Sequence, residues 1–497
     1  MSLLGLDVGT SGCKALVVDE AGNVRGQAYR EYAMLSPEPG LAELDPEQVW
    51  TAVKAVIRQV ASDAGREVRA ISVASFGEAF VALDGGGRVL SNSLLYIDPR
   101  GADEAERLSR SMDERAIHAL TGTTAHAMYS LPKMMWYRNN RPQLHARAWK
   151  YLLFSGFVLF RLGAEPHTDH SLAARTLAFD VVGKTWAEAL LGHADIDRGL
   201  LGDPVASGMP VGRLRPELAT ELGLPSGVLL VSGGHDQPCA ALGAGAVRAG
   251  MAIDGLGTTE CVTPVFDRPV INPLTAAGGY ACVPHVLAER YVTYAFTFTC
   301  GSMLAWYLGR FGEGIRARAD ASGMNPYDAL IAGASSEPAG MFVLPHFAGA
   351  ATPYMDTGAR GAMVGLTLDT SAGEIIRAIL EGVTFEMMVN VERLSGAGIA
   401  VSELFATGGL ARSEWFLQLK ADMMDLPVTA LRISEAGALG AAILAGAGSG
   451  VFRSPEEGAQ ALVRTGRTFL PRPDLARHYR ERFGRYACIH DAIRGIG

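Results

Sequence analysis

Asp7 and Asp236 are the two carboxylates whose neighbours best equip them for chemistry. Asp7 follows an apolar run, Leu3 to Leu6, and leads through Val8 into Gly9, Thr10, Ser11 and Gly12; a second apolar run, Ala15 to Val18, comes next. The pattern reads as strand, tight turn, strand. A turn of such small residues bares consecutive backbone N–H groups, and a nest of that kind binds anions. Thr10 and Ser11 add hydroxyl donors, Lys14 adds a positive charge, and Asp7 is an acceptor suited to holding Mg²⁺ through water. An ordinary flexible hairpin is the competing reading. Asp236 closes the strand VLLVSGG and precedes Pro238 and a helix. Ligands in open α/β sheets bind at the carboxyl ends of strands. A carboxylate there could take the proton of an attacking hydroxyl, or could simply cap the helix. His235 reads either as a second base or as a packed histidine.

Glu78 lies in the apolar stretch Phe76 to Val81, where an ionised carboxylate needs hydrogen-bond partners. Sugar or polyol hydroxyls would serve, and so would a buried arginine. Asp98 and Arg100, in YIDPR, offer a second acceptor and a forked donor; a salt bridge around the Pro99 turn competes. Asp169 and Arg175, in TDHSLAART, read as a polar loop held by its own side chains. Gly408 and Gly409 open GGLARS, a strand-to-helix turn that lets a flat ring or ribose approach the backbone. The first hairpin has an echo in MAIDGLGTTECVTPVF, with Gly257, Thr258 and Thr259 at the turn. Gly9 and Gly257 lie half a chain apart, which predicts a duplicated domain holding one nucleotide between its copies. Neither a G-x-x-x-x-G-K-[ST] loop nor a strand-linked G-x-G-x-x-G is present, so P-loop and dinucleotide sites find no support.

The elements that must position these residues alternate strand and helix, so the expected class is α/β. Asp45 with Pro46 predicts a helix start. Helical patterns cover 103–120, 131–139 and 149–162, followed by the irregular polar stretch HTDHSLAARTLAFD. A buried strand at 228–231 precedes Asp236, and the boundary between domains 1–248 and 249–497 falls just beyond. The second half reads as the echo hairpin, a strand over 291–298, a long helix over 372–394, a strand at 404–406, GGLARS, a strand near Val428 and a small-residue helix from Glu435. The 497 residues suffice for two full cores. A net charge of −8 argues against nucleic acid or anionic membrane as partner. Six scattered cysteines without zinc-site spacing fit reduced thiols in a cytoplasm. No signal peptide or membrane span is read.

DVGTSGCK, GGHDQ, GLGTTE, ARGAMVGLTLDTSAGEIIRAILEGVTFE, ATGGLARSEWFLQLKADMMDLPV and EAGALGAAILAG occur in one order over residues 3 to about 450. Together they resemble the FGGY carbohydrate kinases. The resemblance implies duplicated actin-like (ribonuclease-H-like) ATPase domains closing on ATP and a sugar in an interdomain cleft. It implies Asp236 as general base, Asp7 as Mg²⁺ holder, phosphates on Gly9–Ser11 and Gly257–Thr259, and adenosine at Gly408 and Gly409. It also implies Glu78 as a substrate contact. ASFGEAF differs from the xylulokinase run Ser-Gly-Gln-Met-His, and Gly77 stands where glycerol kinases carry an arginine. The expected substrate is therefore a xylulose-like ketose or, in the other reading, a glycerol- or erythritol-type polyol. A homodimer is the candidate assembly. The reading from another class is a chaperone- or filament-type actin-like ATPase.

Overall fold

The computed structural model describes residues 1–64, 67–432 and 435–494. Ser2–Val8 is a strand in which all residues but Asp7 are buried. A strand apolar on both faces belongs in the middle of a covered sheet, and this one pairs antiparallel with Gly12–Asp19 and parallel with Val68–Ser75. The first sheet runs Val24–Glu31, Gly12–Asp19, Ser2–Val8, Val68–Ser75, Leu229–His235, Pro210–Arg213. In the second, Ala295–Thr297 and Glu260–Phe266 are followed by Met251–Leu256, Glu403–Thr407, Val428–Leu431 and Thr465–Phe469. Strand for strand, the order and directions repeat: two antiparallel pairings, two parallel ones and an antiparallel edge. This is the duplicated actin-like arrangement of two ribonuclease-H-like halves.

Register decides what the first sheet presents. Val8 pairs with Ser75, and Ser75 with His235. The carboxyl ends of three parallel strands therefore stand in one row. The hairpin at Gly9, the Phe76–Gly77–Glu78 turn and Asp236 all leave the sheet at that edge. In the second sheet Gly255 pairs with Thr407, so the Gly257 turn and Gly408 leave together.

The halves are held by two helices, Asp236–Gly243 and Ala436–Gly448, each following the corresponding strand of its own sheet. The second helix crosses over to lie against the strands Ser2–Val8 and Val68–Ser75 of the first half. Its small residues permit this. A Cβ at Gly440 would stand 1.9 Å from the Cys239 carbonyl oxygen, and one at Gly5 the same distance from that of Ala438. Leu439, Ile443 and Leu444 are fully buried in this interface, and such side chains contribute about 1.5–3 kcal/mol each.

Four stretches differ from the sequence reading. HTDHSLAARTLAFD, read as irregular, holds the strand His167–Asp169, the short helix His170–Ala173 and the strand Phe179–Asp180. The pattern over 103–120 is two helices, Ala102–Ser111 and Glu114–Thr121, because Met112 is extended and Asp113 caps the second. The run over 149–162 opens as a strand, Lys150–Leu153, claimed by Phe80–Leu83, before the helix Phe154–Leu162; a short apolar run does not choose between strand and helix by its period. The strand over 291–298 is broken into Tyr291–Val292 and Ala295–Thr297, with Thr293 and Tyr294 at the break.

Candidate active site

Asp236 is the first residue of its helix. Its Oδ1 is sealed from solvent, although the side chain as a whole is 30% exposed. Burial, and then the charges of Asp7 and Glu78, push this carboxyl up to about 8. Asp7 is pushed up to about 6, mainly by burial, with Lys14 opposing and Glu435 adding to the rise. Asp7 faces Lys14 across the hairpin. The Lys14 ammonium is bonded to Glu435 at 2.6 Å, so the cation expected beside a nucleotide also ties the two halves. A Cβ at Gly437 would meet Asp7 Oδ2 at 2.7 Å, so the second half presses its small-residue helix directly against this carboxylate.

The first hairpin is closed by Gly9 N–H donating to the Gly12 carbonyl, and the Tyr32 hydroxyl donates to the Gly9 carbonyl. In the second, Gly257 N–H donates to the Thr259 carbonyl, and the amides of Cys300 and Gly301 donate to the carbonyls of Thr258 and Gly257. Among the described residues, the amides of Thr10, Ser11, Thr258 and Thr259 take no intramolecular acceptor. Both turns thus present the free N–H groups an anion needs. Directly after the second turn, Glu260 is buried with Asp254 and Lys420, all three fully inaccessible; Lys420 Nζ lies 2.7 Å from Asp254 Oδ2 and is also bonded to Glu260. Gly408 has φ of 100°, and a Cβ there would stand 2.5 Å from the Leu256 carbonyl oxygen. Only glycine fits so near the second hairpin. Gly409 has open space where its Cβ would be. A cavity of about 310 Å³ is lined in part by Ser413 of the same GGLARS stretch, with Ile331, Ala334 and Trp415.

Of the two readings of Glu78, the buried arginine partner is the one present. Arg175 Nε donates to Glu78 Oε1 at 2.6 Å and its Nη2 lies 2.5 Å away, with both side chains only 7% exposed. The guanidinium also sits over the rings of Tyr129 and Tyr294, at 5.1 and 5.3 Å. Glu78 adopts a left-handed backbone, φ 65°, which is uncommon for a residue carrying a Cβ. Tyr96 is 43% exposed, and its hydroxyl is pushed up by burial and by the charges of Glu78 and Asp236.

Asp98 and Arg100 form the turn salt bridge instead of a substrate pair. Arg100 grips both oxygens of Asp98 at 2.8 and 2.7 Å and reaches Glu43 at 2.8 Å. Asp98 also accepts from the Ala42 amide, and Lys133 Nζ donates to its carbonyl. Its side chain is fully inaccessible, so the expected substrate contact is corrected: this carboxylate is committed to the loop. Asp169 is held within its own loop by Ser171 and the Leu172 amide, but Arg175 leaves that loop for Glu78.

Tyr294, Tyr96 and the Glu78–Arg175 pairing were missed by sequence reasoning. The buried charge of Glu78 was the one available signal, since it demanded a partner without naming it.

The model of the FGGY family of carbohydrate kinases, N-terminal domain, matches residues 2–243, and that of the C-terminal domain matches residues 255–449. The chain belongs to this family. It is 27% identical to a xylulose kinase of Bacillus subtilis over 99% of this chain and 97% of that one. It is 32% identical to a glycerol kinase of Bordetella parapertussis, covering 94% and 92%. The structure of a xylulose kinase from Rhodospirillum rubrum superposes with a TM-score of 0.89 at 27% identity, over 100% and 99% of the two chains. As an FGGY member the protein is a carbohydrate kinase that uses ATP, which replaces the chaperone or filament reading. Among the described residues, no helix is long and apolar enough to cross a membrane.

Proposed function

We propose that this FGGY kinase transfers the terminal phosphoryl group of ATP to a hydroxyl of a small xylulose-like ketose, with Asp236 as the general base. The observation that carries this reading is the row of strand ends: Asp236, held up to about 8, leaves the sheet at the same edge as the Gly9–Ser11 turn, with the Phe76–Glu78 turn between them. A base is most effective when its affinity for the proton lies near the operating pH. The substrate hydroxyl gives its proton to Asp236 as the oxygen attacks phosphorus, and the hairpin amides of both halves receive the charge on the phosphate oxygens. Gly408 and Gly409 would lie against the adenosine, and Tyr96 and the remaining oxygen of Glu78 against the sugar. In this reading domain 1–248 carries sugar and base, and domain 249–497 carries adenosine.

The residues present fit Mg²⁺. Asp7 is a half-buried carboxylate whose pKa is raised mainly by loss of solvent, with the Lys14 cation only partly opposing the rise. A single carboxylate, with waters and substrate phosphates, is a common way of holding this ion. Asp7 would hold the ion, which when bound supplies charge neutralisation at the phosphates. A polyol of glycerol or erythritol type is the second reading, favoured by the 32% identity to the glycerol kinase. Six free cysteines, most of them buried, support a reducing compartment.

ADP release measured over pentuloses, hexuloses, glycerol and longer polyols separates the substrates. Asp236→Asn should lose about 10²- to 10⁴-fold in kcat with ATP binding kept. Near wild-type kcat in that variant removes the base assignment.

A further inference from the structure

We propose that Tyr294 and His235 form a positioning pair for Asp236: the tyrosine of the second half sets the proton of His235 on Nε2, and that N–H steadies Oδ1 of Asp236. The inference rests on the reading of Asp236 as the general base.

The Tyr294 hydroxyl proton has one place to go. Tyr294 Oη lies 2.8 Å from His235 Nδ1, and among the described residues it has no other hydrogen-bond partner. Burial pushes the phenol far above its ordinary range, so it keeps its proton and is a donor. His235 is held neutral by burial and by the nearby Arg175 charge. A neutral imidazole that accepts at Nδ1 carries its proton on Nε2. That nitrogen stands 3.2 Å from Asp236 Oδ1, the sealed oxygen. The contact is near enough for a hydrogen bond but not aligned for one, as is common before substrate binds.

The rest of the ring's surroundings hold it still. Its backbone N–H donates to Ser171 Oγ at 2.8 Å, and Ser171 donates to the buried Asp169 at 2.5 Å. The Tyr294 ring packs edge-on at 5.6 Å. His235 is thus neither a second base nor a passive core residue. With Oδ1 held, the oxygen facing the opening is left to receive the substrate's proton. Because Tyr294 sits at the strand break of the second half, the alignment of Asp236 depends on how the two halves meet.

The test compares Tyr294→Phe, which removes only the hydroxyl, with wild type. The expected loss is about 3- to 10-fold in kcat, the worth of one modest hydrogen bond, with KM for ATP and sugar unchanged and the melting temperature lowered only by what one buried hydrogen bond contributes. In the Asp236→Asn background the same change should have no further effect, because groups acting as one unit are not additive. ¹⁵N spectra of histidine-labelled protein should show His235 as a single Nε2–H tautomer in wild type and a mixture in Tyr294→Phe. His235→Gln, which keeps an amide donor toward Asp236, should retain more kcat than His235→Ala. Full kcat in Tyr294→Phe beside an inactive Asp236→Asn overturns the pair alone, as does a loss that adds fully to that of Asp236→Asn. An active Asp236→Asn overturns the general-base reading and this inference with it.

Discussion

Replacing Glu78 by glutamine separates a charge that holds the fold from one that only meets the sugar. The substitution keeps shape and removes the charge that Arg175 faces through two contacts of 2.6 and 2.5 Å. Both side chains are 7% exposed, so water cannot replace the lost carboxylate. Breaking one partner of a buried ion pair costs about 3–5 kcal/mol. The rings of Tyr129 and Tyr294 return part of this, since a cation over an aromatic face is worth about 0.5–2 kcal/mol. A net loss of about 2–4 kcal/mol in a unit of this size lowers the denaturation midpoint by roughly 4–16 °C. The assay is thermal and urea denaturation of Glu78→Gln, Arg175→Met and the double variant, run beside kinetics for sugar and ATP. Each single variant should be strongly destabilised and the double variant much less so, because removing both charges leaves no stranded ion. A Glu78→Gln protein with an unchanged midpoint and a defect confined to the sugar KM would refute the pairing as the main role of this residue.

Three other outcomes follow from the same geometry. Asp236 and Asp7 have folded values of about 8 and about 6 against an ordinary 3.8, so the native state binds more protons than the unfolded chain in between. Ligand-free stability should therefore fall as pH rises from the ordinary carboxylate range to about 8. Asp236→Asn should melt higher than wild type at pH 8 and at the same temperature near pH 4; equal melting at both pH values contradicts the burial argument. Lys420→Met leaves Asp254 and Glu260 together without a cation, and chemical denaturation should show a loss of about 3–5 kcal/mol, partly recovered by adding Glu260→Gln. Gly408→Ala forces a Cβ toward the Leu256 carbonyl at φ 100°; the KM for ATP should rise with little change in that for sugar, and an unchanged ATP KM removes this turn from the nucleotide site.

The placement of several candidate site residues was readable because its signals are local. Asp7 and the two glycine turns are written in one continuous stretch each, where apolar runs and small residues dictate strand and turn. Asp236 was readable for the same reason, since a buried strand ending before a helix places its last residues at a sheet edge. Even the duplication showed, because each half must build its own hairpin from similar residues. What stayed hidden depends on partners distant in the chain. Glu78 announced that a buried charge needed a counterpart, yet Arg175 lies 97 residues away and reads locally as a loop residue. Asp98 and Arg100 have the composition of a binding pair, and only the approach of Ala42, Glu43 and Lys133 shows them closed upon themselves.

The sequence by itself determined the α/β alternation, the two glycine turns and the family, because these follow from neighbours within a few residues and from the order of motifs. Tertiary structure alone decided which strand ends stand in one row, which half the Ala436–Gly448 helix covers and which side chain Tyr294 meets. Small residues in that helix permit close packing without saying against what. The partner is chosen where the Cys239 carbonyl meets Gly440 and the Ala438 carbonyl meets Gly5. The break at Thr293 and Tyr294 likewise appears only once the strand pairs with the two ends of Glu260–Phe266, in one register, and leaves these two residues between the paired pieces. Each of these is a contact between segments tens to hundreds of residues apart, and its energy belongs to the pair of surfaces, so neither segment carries it alone.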